Sequence, residues 1–308
     1  MAKKLFLTGG AGMVGRNLQE HAAAADWDIL APRSQDLDLT DAQAVTEYVA
    51  QHQPDLVVHA AGKVGGIAAN MAEPVAFLDL NTMIGRNVIM ATRNAGVKRL
   101  INLGSTCIYP RAASNPLTES MILHGELEPT NEGYAIAKIF ALRLCEYISR
   151  EDPSFLYKTL IPCNLFGPYD KFNPKKSHLL PAIIRKIHDA QQDGTQSVEI
   201  WGDGEARREF MYAADLADAI FCAAEDLKNV PDQMNVGIGD DHTINEYYET
   251  VARVIGWEGS FTHNLTRPVG MLRKLSDTSR LTAWGWKPKT PLEEGIAKTY
   301  AHFLEIKP

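Results

Sequence analysis

The sequence has 308 residues, with 31 basic and 38 acidic side chains and a formal net charge of −7. This acidic balance leaves no general basic field for nucleic acid or an anionic membrane surface. Hydrophobic residues make up 45% and charged residues 22%, which is typical of globular proteins with a large buried core. The length suits about two domains of ~100–200 residues each.

The amino terminus, MAKKLFLTGG, has no long apolar run and no cleavage site, so we expect no signal peptide. The chain also lacks a run of ~18 apolar residues that would predict a membrane span. The cysteines are widely spaced without a CxxC, so we expect no metal or redox site and a reduced, cytoplasmic protein. They are Cys107, Cys145, Cys163 and Cys222.

The first half of the chain alternates short apolar runs with helical patterns. Such alternation predicts an α/β protein with a Rossmann-like, doubly wound parallel sheet. Because the runs are apolar almost throughout, we expect strands that are buried on both faces. The predicted strands are 4–9, 28–33, 56–62, 99–105 and 158–167, and the first helical patterns are 14–25 and 41–52.

After about residue 165 a loop rich in Pro, Lys and Asn leads into a helical pattern, LLPAIIRKIHDAQQ. Strand-like pieces SVEIWG and MNVGIG follow, and then a C-terminal helical pattern, TPLEEGIAKTYAHFLEI. We therefore predict a cofactor-binding domain over 1–165, rejoined at about 210–238. A smaller C-terminal α/β domain over 166–209 and 239–308 would bind the substrate.

The first strand runs into TGGAGMVG, a loop with three regularly spaced glycines. Glycine permits a tight turn and close backbone approach to a pyrophosphate, and the following helix supplies amide donors. Because the loop lies between a strand and a helix, we favour a dinucleotide site over a plain structural turn. The predicted cofactor-binding residues here are Gly9, Gly12, Met13, Val14 and Gly15, with Ala60 and Ala61 near the end of the third predicted strand.

The end of the second strand selects between the two nicotinamide dinucleotides. An acidic residue there binds a ribose 2′-hydroxyl, whereas an arginine favours a 2′-phosphate. This sequence has Arg33 and Ser34 at that point, which favours NADPH; an exposed loop arginine is the alternative. Asp41 is a candidate adenine contact.

A Tyr-x-x-x-Lys pair lies in a long helical pattern, with Tyr134 and Lys138 on one helix face. We expect the ammonium to lower the pKa of the tyrosine and so ease proton exchange with a substrate oxygen. Ser105 lies 29 residues upstream, at the carboxyl end of the fourth predicted strand, where ligands of open parallel sheets gather.

Serine, tyrosine, lysine and the glycine loop in this order resemble the extended short-chain dehydrogenase/reductase superfamily. The resemblance implies that Ser105 and Tyr134 hold the oxygen of a reacting carbonyl beside the nicotinamide. It also implies that Lys138 bonds the nicotinamide ribose.

Longer sequence motifs narrow the resemblance to the GDP-L-fucose synthase family. The chain resembles this family from residue 7 to near its C-terminus. These bifunctional enzymes epimerise C3 and C5 of GDP-4-keto-6-deoxy-D-mannose and then reduce C4 with NADPH. The resemblance therefore implies the same activity, an NADP(H) cofactor and a homodimer. The motifs are GKVGGI (62–67), GSTCIYP (104–110), EPTNEGYAIAK (128–138), CNLFGPYDKF (163–172), SHLLPAIIRK (177–186) and WGDGEARREF (201–210).

The same resemblance implies that Cys107 and His178 are the base and acid of epimerisation. A C4 ketone acidifies the protons on C3 and C5, so a base can remove one and an acid on the opposite face can return it. Groups that titrate near neutrality suit both tasks. Without this context, a cysteine at a strand end is more often a packing residue and a loop histidine is usually just solvated.

The resemblance also implies contacts with the GDP-sugar. Arg208 matches a phosphate-binding arginine, and a guanidinium can hold two phosphate oxygens at once. Lys63 is a candidate for holding the active-site loop or the cofactor. The other candidate substrate contacts are Asn164, Arg185, Trp201 and Lys274.

One stretch departs from the family pattern. Many members have an acidic-Gly-Thr-Pro stretch before Arg-Lys, whereas this chain reads RPVGMLRK over 267–274. That change keeps open a GDP-L-colitose synthase, which acts on a 3,6-dideoxy-4-keto sugar with epimerisation at C5 alone. A UDP-sugar 4-epimerase and a non-enzymatic dinucleotide sensor are more distant alternatives.

The two helical patterns at 76–96 and 129–148 are apolar around more than one face. A helix of that kind must be buried on two sides. Together with the family resemblance, this predicts a two-fold homodimer built on a four-helix bundle. The alternative is that a larger second domain covers both helices.

Overall fold

The computed structural model describes residues 2–173, 177–266 and 271–306. The strands are β1 (Lys3–Thr8), β2 (Trp27–Leu30), β3 (Leu56–His59), β4 (Arg99–Leu103), β5 (Leu156–Pro162), β6 (Asn164–Phe166), β7 (Ser197–Trp201), β8 (Arg207–Arg208), β9 (Phe210–Tyr212), β10 (Gln233–Val236), β11 (His242–Thr243), β12 (Ser260–Asn264) and β13 (Arg273–Lys274). The α-helices are α1 (Met13–Glu20), α2 (Ala42–His52), α3 (Ile67–Ala72), α4 (Pro74–Asn94), α5 (Glu132–Glu151), α6 (Leu179–Asp193), α7 (Ala213–Glu225), α8 (Ile244–Ile255), α9 (Ser279–Trp284) and α10 (Leu292–Ile306).

A six-stranded sheet forms the centre of the fold, with the order β2-β1-β3-β4-β5-β10 and parallel pairing throughout. The predicted α/β class and doubly wound parallel sheet are confirmed. Successive side chains of β1 point to opposite faces of the sheet, and both faces are buried. Leu5 and Leu7 enter one hydrophobic core, and Phe6 enters another. Helices α1 and α7 pack together, as do α2, α4 and α5.

Two predicted elements differ from the structure. The single strand predicted at 158–167 is divided, because β5 pairs with β10 in the main sheet whereas β6 pairs with β9 in a separate two-stranded sheet. The helical pattern at 14–25 ends early: α1 stops at Glu20, and a 3-10 helix, Ala22–Asp26, follows. There His21 has extended backbone angles and its ring accepts a hydrogen bond from the Ala23 amide.

The C-terminal part has a third core between α6, α8 and α10, with β7 and β9 against it. Small sheets β11-β8-β13 and β12-β7 lie in the same part of the chain. Strand β10 joins the main sheet, and Leu281 and Trp286 pack into the core of that sheet although they follow residue 239. The division into domains at 165, 210 and 238 stays a prediction.

None of the helices in the described ranges is long and apolar enough to span a bilayer. The carboxyl ends of the parallel strands β1, β3, β4 and β5 lie at one edge of the sheet. The glycine loop follows β1 and Ser105 follows β4, so topology alone carries both predicted motifs to this edge.

Candidate active site

The glycine loop after β1 is shaped by contacts that only glycine allows. Gly9 has φ +75°, and a Cβ there would lie 2.8 Å from the amide nitrogen of Ala61. A Cβ on Gly15 would lie 2.3 Å from the carbonyl oxygen of Gly9. The loop therefore closes tightly both on itself and on the end of β3, where Ala60 and Ala61 were predicted to meet the cofactor.

Helix α1 begins at Met13 and Val14 directly after this loop, and its N-cap, Gly12, has no side chain to cap it. Gly12 therefore leaves the first amides of the helix without a side-chain cap. A pyrophosphate site requires such amides as hydrogen-bond donors. The loop and helix fit a dinucleotide.

Arg33 lies three residues beyond β2 and is exposed. Its strand is parallel to β1, and a Cβ on Gly10 would lie 2.7 Å from the Cβ of Ala31, so this strand end touches the glycine loop. Within the described residues no side-chain hydrogen bond or ion pair of Arg33 is recorded. An uncommitted guanidinium here fits a ribose 2′-phosphate.

Asp41 has a local structural partner. Its carboxylate caps α2, accepting hydrogen bonds from the amides of Gln43 at 2.9 Å and Ala44 at 3.0 Å. Its predicted contact with adenine stays a prediction.

Behind the glycine loop lies a buried link that sequence reasoning did not identify. The Thr8 hydroxyl is 2.8 Å from Nδ1 of His59, and it accepts a hydrogen bond from the Ala61 amide at 3.2 Å. Burial, with the nearby Lys138 charge, lowers the pKa of His59 to about 3. His59 is therefore neutral at physiological pH and ties the end of β3 to β1.

Cys107 lies in a 3-10 helix, Thr106–Ile108, that begins just after β4 and packs against α5. The Ser105 hydroxyl donates to its Sγ at 3.3 Å, and Nδ2 of Asn131 donates to the same sulfur at 3.4 Å. Cys107 is partly exposed, unlike the buried Cys145 and Cys163. The structure thus brings together the serine and cysteine of GSTCIYP and the asparagine of PTNEGY.

Tyr134 and Lys138 lie one turn apart on α5, facing the end of β4. Lys138 is buried, its Nζ donates to the carbonyl of Leu103 at 2.9 Å, and it lies 5.8 Å from the centroid of the Tyr134 ring. Burial lowers the pKa of Lys138 to about 8, partly offset by the nearby Cys107.

The prediction that Lys138 lowers the pKa of Tyr134 is wrong for this structure. Burial raises the pKa of Tyr134, the nearby Cys107 raises it further, and a hydrogen bond with Ser105 only partly opposes the rise. Desolvation is the largest of these causes, because burial disfavours the charged phenolate. The ammonium of Lys138 donates instead to the carbonyl of Leu103. Tyr134 therefore keeps its proton at neutral pH, which suits a proton donor.

His178 precedes α6 and retains solvent-exposed area. The surrounding protein nevertheless lowers its pKa by desolvation, and the charge of Lys171 adds to the effect. A side chain at the wall of a cleft has both properties, because it contacts solvent on one side and protein on the other.

The segment 62–66 connects the end of β3 with the region of His178. A Cβ on Gly62 would lie 4.0 Å from Nζ of Lys138, and one on Gly66 would lie 3.8 Å from the carbonyl oxygen of Ser177. Five residues span at most about 17 Å. One short segment therefore approaches both Lys138 and the residue next to His178.

Lys63, within that segment, is held against the start of α4. Its Nζ is 2.7 Å from a Glu73 carboxylate oxygen and 5.4 Å from the centroid of the Phe77 ring. Its amide donates to Oδ1 of Asn81 at 2.8 Å. These contacts support the predicted role of holding the loop; a contact with the cofactor stays a prediction.

The small sheet β11-β8-β13 brings Arg208 and Lys274 together, since the two residues are register partners on parallel strands. Such partners point to the same face of a sheet. The other pair, Arg207 and Arg273, binds one carboxylate, that of Asp241, at 2.6 and 2.5 Å. Within the described residues no carboxylate pairs with Arg208 or Lys274.

Arg208 also differs from its neighbour in its surroundings. Burial lowers the pKa of its guanidinium, whereas the bond to Asp241 raises that of Arg207. A desolvated cation without an anionic partner is what a buried phosphate requires.

Three other predicted substrate contacts lie on the surrounding elements. Arg185 forms an ion pair with Asp189 on its own helix at 2.7 Å. Asn164 donates to the carbonyl of Glu209 at 2.8 Å and thereby joins β6 to the start of β9. Trp201, at the end of β7, is half exposed. All three contacts with substrate stay predictions, and residues 267–270 of the divergent RPVGMLRK stretch lie outside the described residues.

Asn131 and Glu209 are two further side chains that the sequence analysis did not single out, although both lie in motifs quoted there. Glu209 is buried, and its carboxylate accepts from the amides of Ile238, Gly239 and Ser276 at 2.7, 2.9 and 2.9 Å. It thereby fixes the strand that carries Arg208. An asparagine directly before a helix is usually a helix cap. The sequence pattern at Asn131 therefore gives no sign of its contact with Cys107.

Comparisons with known proteins agree with this geometry. The sequence model of the NAD dependent epimerase/dehydratase family matches residues 5–237. A GDP-L-fucose synthase of Azorhizobium caulinodans is 55% identical, covering 98% of this chain and 96% of that protein. A GDP-L-colitose synthase of Yersinia pseudotuberculosis is 51% identical, covering 99% of both. The structure of a GDP-mannoheptose C4 reductase from Campylobacter jejuni with NADP bound superposes with a TM-score of 0.90 at 31% identity, covering 98% of both chains.

Proposed function

The chain belongs to the NAD dependent epimerase/dehydratase family, and within it we propose that this protein is an NADP-dependent GDP-L-fucose synthase. It converts GDP-4-keto-6-deoxy-D-mannose to GDP-L-fucose by epimerisation at C3 and C5 and reduction at C4. The observation that carries the proposal is the contact of Cys107 with Ser105, beside Tyr134 and Lys138. This contact supports the proposal because it joins a candidate base, Cys107, to the serine that is expected to hold the reacting carbonyl.

Epimerisation assigns opposite tasks to Cys107 and His178. The thiolate of Cys107 removes the proton from the carbon next to the ketone, and the electrons move into the carbonyl to form an enolate. His178 returns a proton to the opposite face of that carbon. Partial exposure of both side chains supports this assignment, since each must reach the sugar.

Reduction depends on the groups around the carbonyl. NADPH, when bound, supplies the hydride to C4. Tyr134, whose raised pKa keeps it protonated, donates its proton to the C4 oxygen while Ser105 holds that oxygen. Lys138, which lies next to the ring of Tyr134, binds the nicotinamide ribose in this proposal. Arg208 and Lys274 hold the diphosphate of the GDP group.

The decisive experiment is incubation with GDP-4-keto-6-deoxy-D-mannose and NADPH, with the product sugar identified by NMR. GDP-L-fucose is expected, and recovery of unchanged substrate overturns the proposal. A parallel reaction with the 3,6-dideoxy-4-keto substrate tests the second candidate, a GDP-L-colitose synthase, which the 51% identical relative favours. That candidate replaces the first if only the dideoxy sugar is turned over.

We further propose that the protein is a cytoplasmic homodimer. The two long helices α4 and α5 pack together, and each exposes large apolar side chains on its outer face. Such a patch suits burial in an interface. The side chains are Val75, Leu78 and Met83 on α4, and Ile136, Phe140 and Tyr147 on α5.

Light scattering at micromolar concentration tests the assembly. A mass of about twice 34.0 kDa is expected, and Phe140→Asp should shift it toward the monomer. The exposed Lys287→Asp, a larger charge change away from α4 and α5, is the control and should leave the dimer intact. A monomer mass for the unmodified protein contradicts the proposal.

A further inference from the structure

Asn131 stands directly before α5, the position at which asparagine usually caps a helix. Here it does not: its backbone has φ −141° and ψ 21°, and its side chain accepts no hydrogen bond from the helix amides. Its Oδ1 is buried and has no hydrogen-bond partner among the described residues. Neither polar atom of the side chain therefore supports the fold of α5.

The polar contact that the side chain does make is with the proposed base. Nδ2 of Asn131 donates to Sγ of Cys107 at 3.4 Å. Asn131 and Tyr134 also line the same cavity of about 240 Å³, between α3, α4 and the start of α5. The asparagine thus contacts the thiol and shares a cavity with Tyr134.

Ser105 is the other donor to this sulfur, but it has a competing task. A hydroxyl has one proton. Ser105 also lies close enough to Tyr134 to oppose the rise of its pKa, and under the proposed function it holds the substrate carbonyl. When the Ser105 hydroxyl donates to the substrate carbonyl, it no longer donates to the Cys107 sulfur. This happens at the step in which Cys107 acts as the base.

We propose that Asn131 is the positioning residue of the proton-transfer step, holding the Cys107 sulfur as a thiolate while Ser105 serves the carbonyl. The inference rests on the proposed function in taking Cys107 as the base. The amide has two donors and no competing acceptor among the described residues, so no part of the described chain draws it away from the sulfur. The buried Oδ1 is then available to a hydroxyl of the sugar or to water.

The test is the pH dependence of iodoacetamide alkylation, resolved for each cysteine by mass spectrometry. Thiolate, not thiol, is alkylated. Asn131→Ala should slow alkylation of Cys107 at pH 7 about tenfold, because one hydrogen bond to a charged atom is lost, and should move its profile to higher pH. Exposed Cys222 in the same sample is the internal reference and should not change.

Asn131→Asp keeps the volume but places a carboxylate against the sulfur, and should move the Cys107 profile at least as far. If circular dichroism shows that Asn131→Ala folds poorly, the Asn131→Asp profile tests the role of Asn131 instead. Asn94→Ala and Asn94→Asp, the same changes at an exposed residue at the end of α4, are the matched controls and should keep the wild-type profile. Superimposable Cys107 profiles for wild type and the folded Asn131 variants overturn the proposal.

A second readout separates this inference from the function it rests on. Asn131→Ala should reduce deuterium wash-in from solvent into the substrate, while NADPH affinity stays unchanged. If wild-type protein does not act on the GDP-sugar, the proposed function fails, yet the alkylation profiles still decide the role of Asn131. If turnover is found but the profiles coincide, Asn131 alone is rejected.

Discussion

Replacing Lys138 by methionine should remove a pH dependence from the stability of the ligand-free protein. Lys138 is only 7% exposed, and burial lowers its pKa from 10.5 to about 8. As pH rises above about 8, the folded protein therefore releases this proton while the unfolded chain keeps it until about 10.5. Because the unfolded state then binds more protons, stability rises with pH over this window.

The magnitude follows from the shift. One pKa unit corresponds to ~1.4 kcal/mol, so the full contribution is about 3 kcal/mol, complete above pH ~10.5 and lost as pH falls through ~8. Between pH 7 and pH 9.5 it amounts to about 2 kcal/mol. Methionine also leaves the carbonyl of Leu103 without its donor, but that loss does not depend on pH.

Urea unfolding of wild type and Lys138→Met across pH 7–9.5, without cofactor, provides the measurement. The stability difference between the two proteins should change by about 2 kcal/mol in favour of wild type as pH rises. Exposed Lys287→Met is the control and should give a constant difference. Parallel curves for wild type and Lys138→Met would refute the reasoning, since they would mean that Lys138 keeps its charge in the folded protein.

Four further outcomes are expected. Cys107→Ser should abolish deuterium wash-in at the main epimerised carbon while NADPH binding stays unchanged; exchange at the wild-type rate would make Cys107 a packing residue. Tyr134→Phe should lower C4 reduction by ~10²-fold or more, the size of a general-acid contribution, and leave part of the exchange activity; loss of both in a folded, substrate-binding variant would contradict this division. Arg33→Ala should weaken NADPH but spare NADH, and equal losses would assign Arg33 another role. Arg208→Met should raise the KM for the GDP-sugar about tenfold or more, because a charged hydrogen bond to phosphate is lost, whereas Arg207→Met, which breaks the pair with Asp241, should chiefly lower the Tm; equal KM effects would contradict the assignment.

Much of the fold could be predicted because its signals are local in the chain. Apolar runs predicted β1, β3 and β4, and the glycine loop between a strand and a helix predicted the start of α1. The four-residue spacing of Tyr134 and Lys138 placed them on one helix face, since helical periodicity is a property of the backbone. Parallel topology then carries the ends of β1 and β4 to one edge, wherever the rest of the chain lies.

The sequence by itself thus determined the sheet, the cofactor loop and the residue types of the site, because each depends on neighbours within a few positions. Only the tertiary structure decided which charged groups are paired, how the pKa values shift and which distant side chains make contact. Arg207 and Arg208 look alike in the sequence, yet only Arg207 meets Asp241, 34 residues away. The pKa of Tyr134 rises rather than falls because burial is set by every element packed around it. Asn131 contacts Cys107 across 24 residues, and no local pattern encodes a contact that forms only when a strand end and a helix start meet.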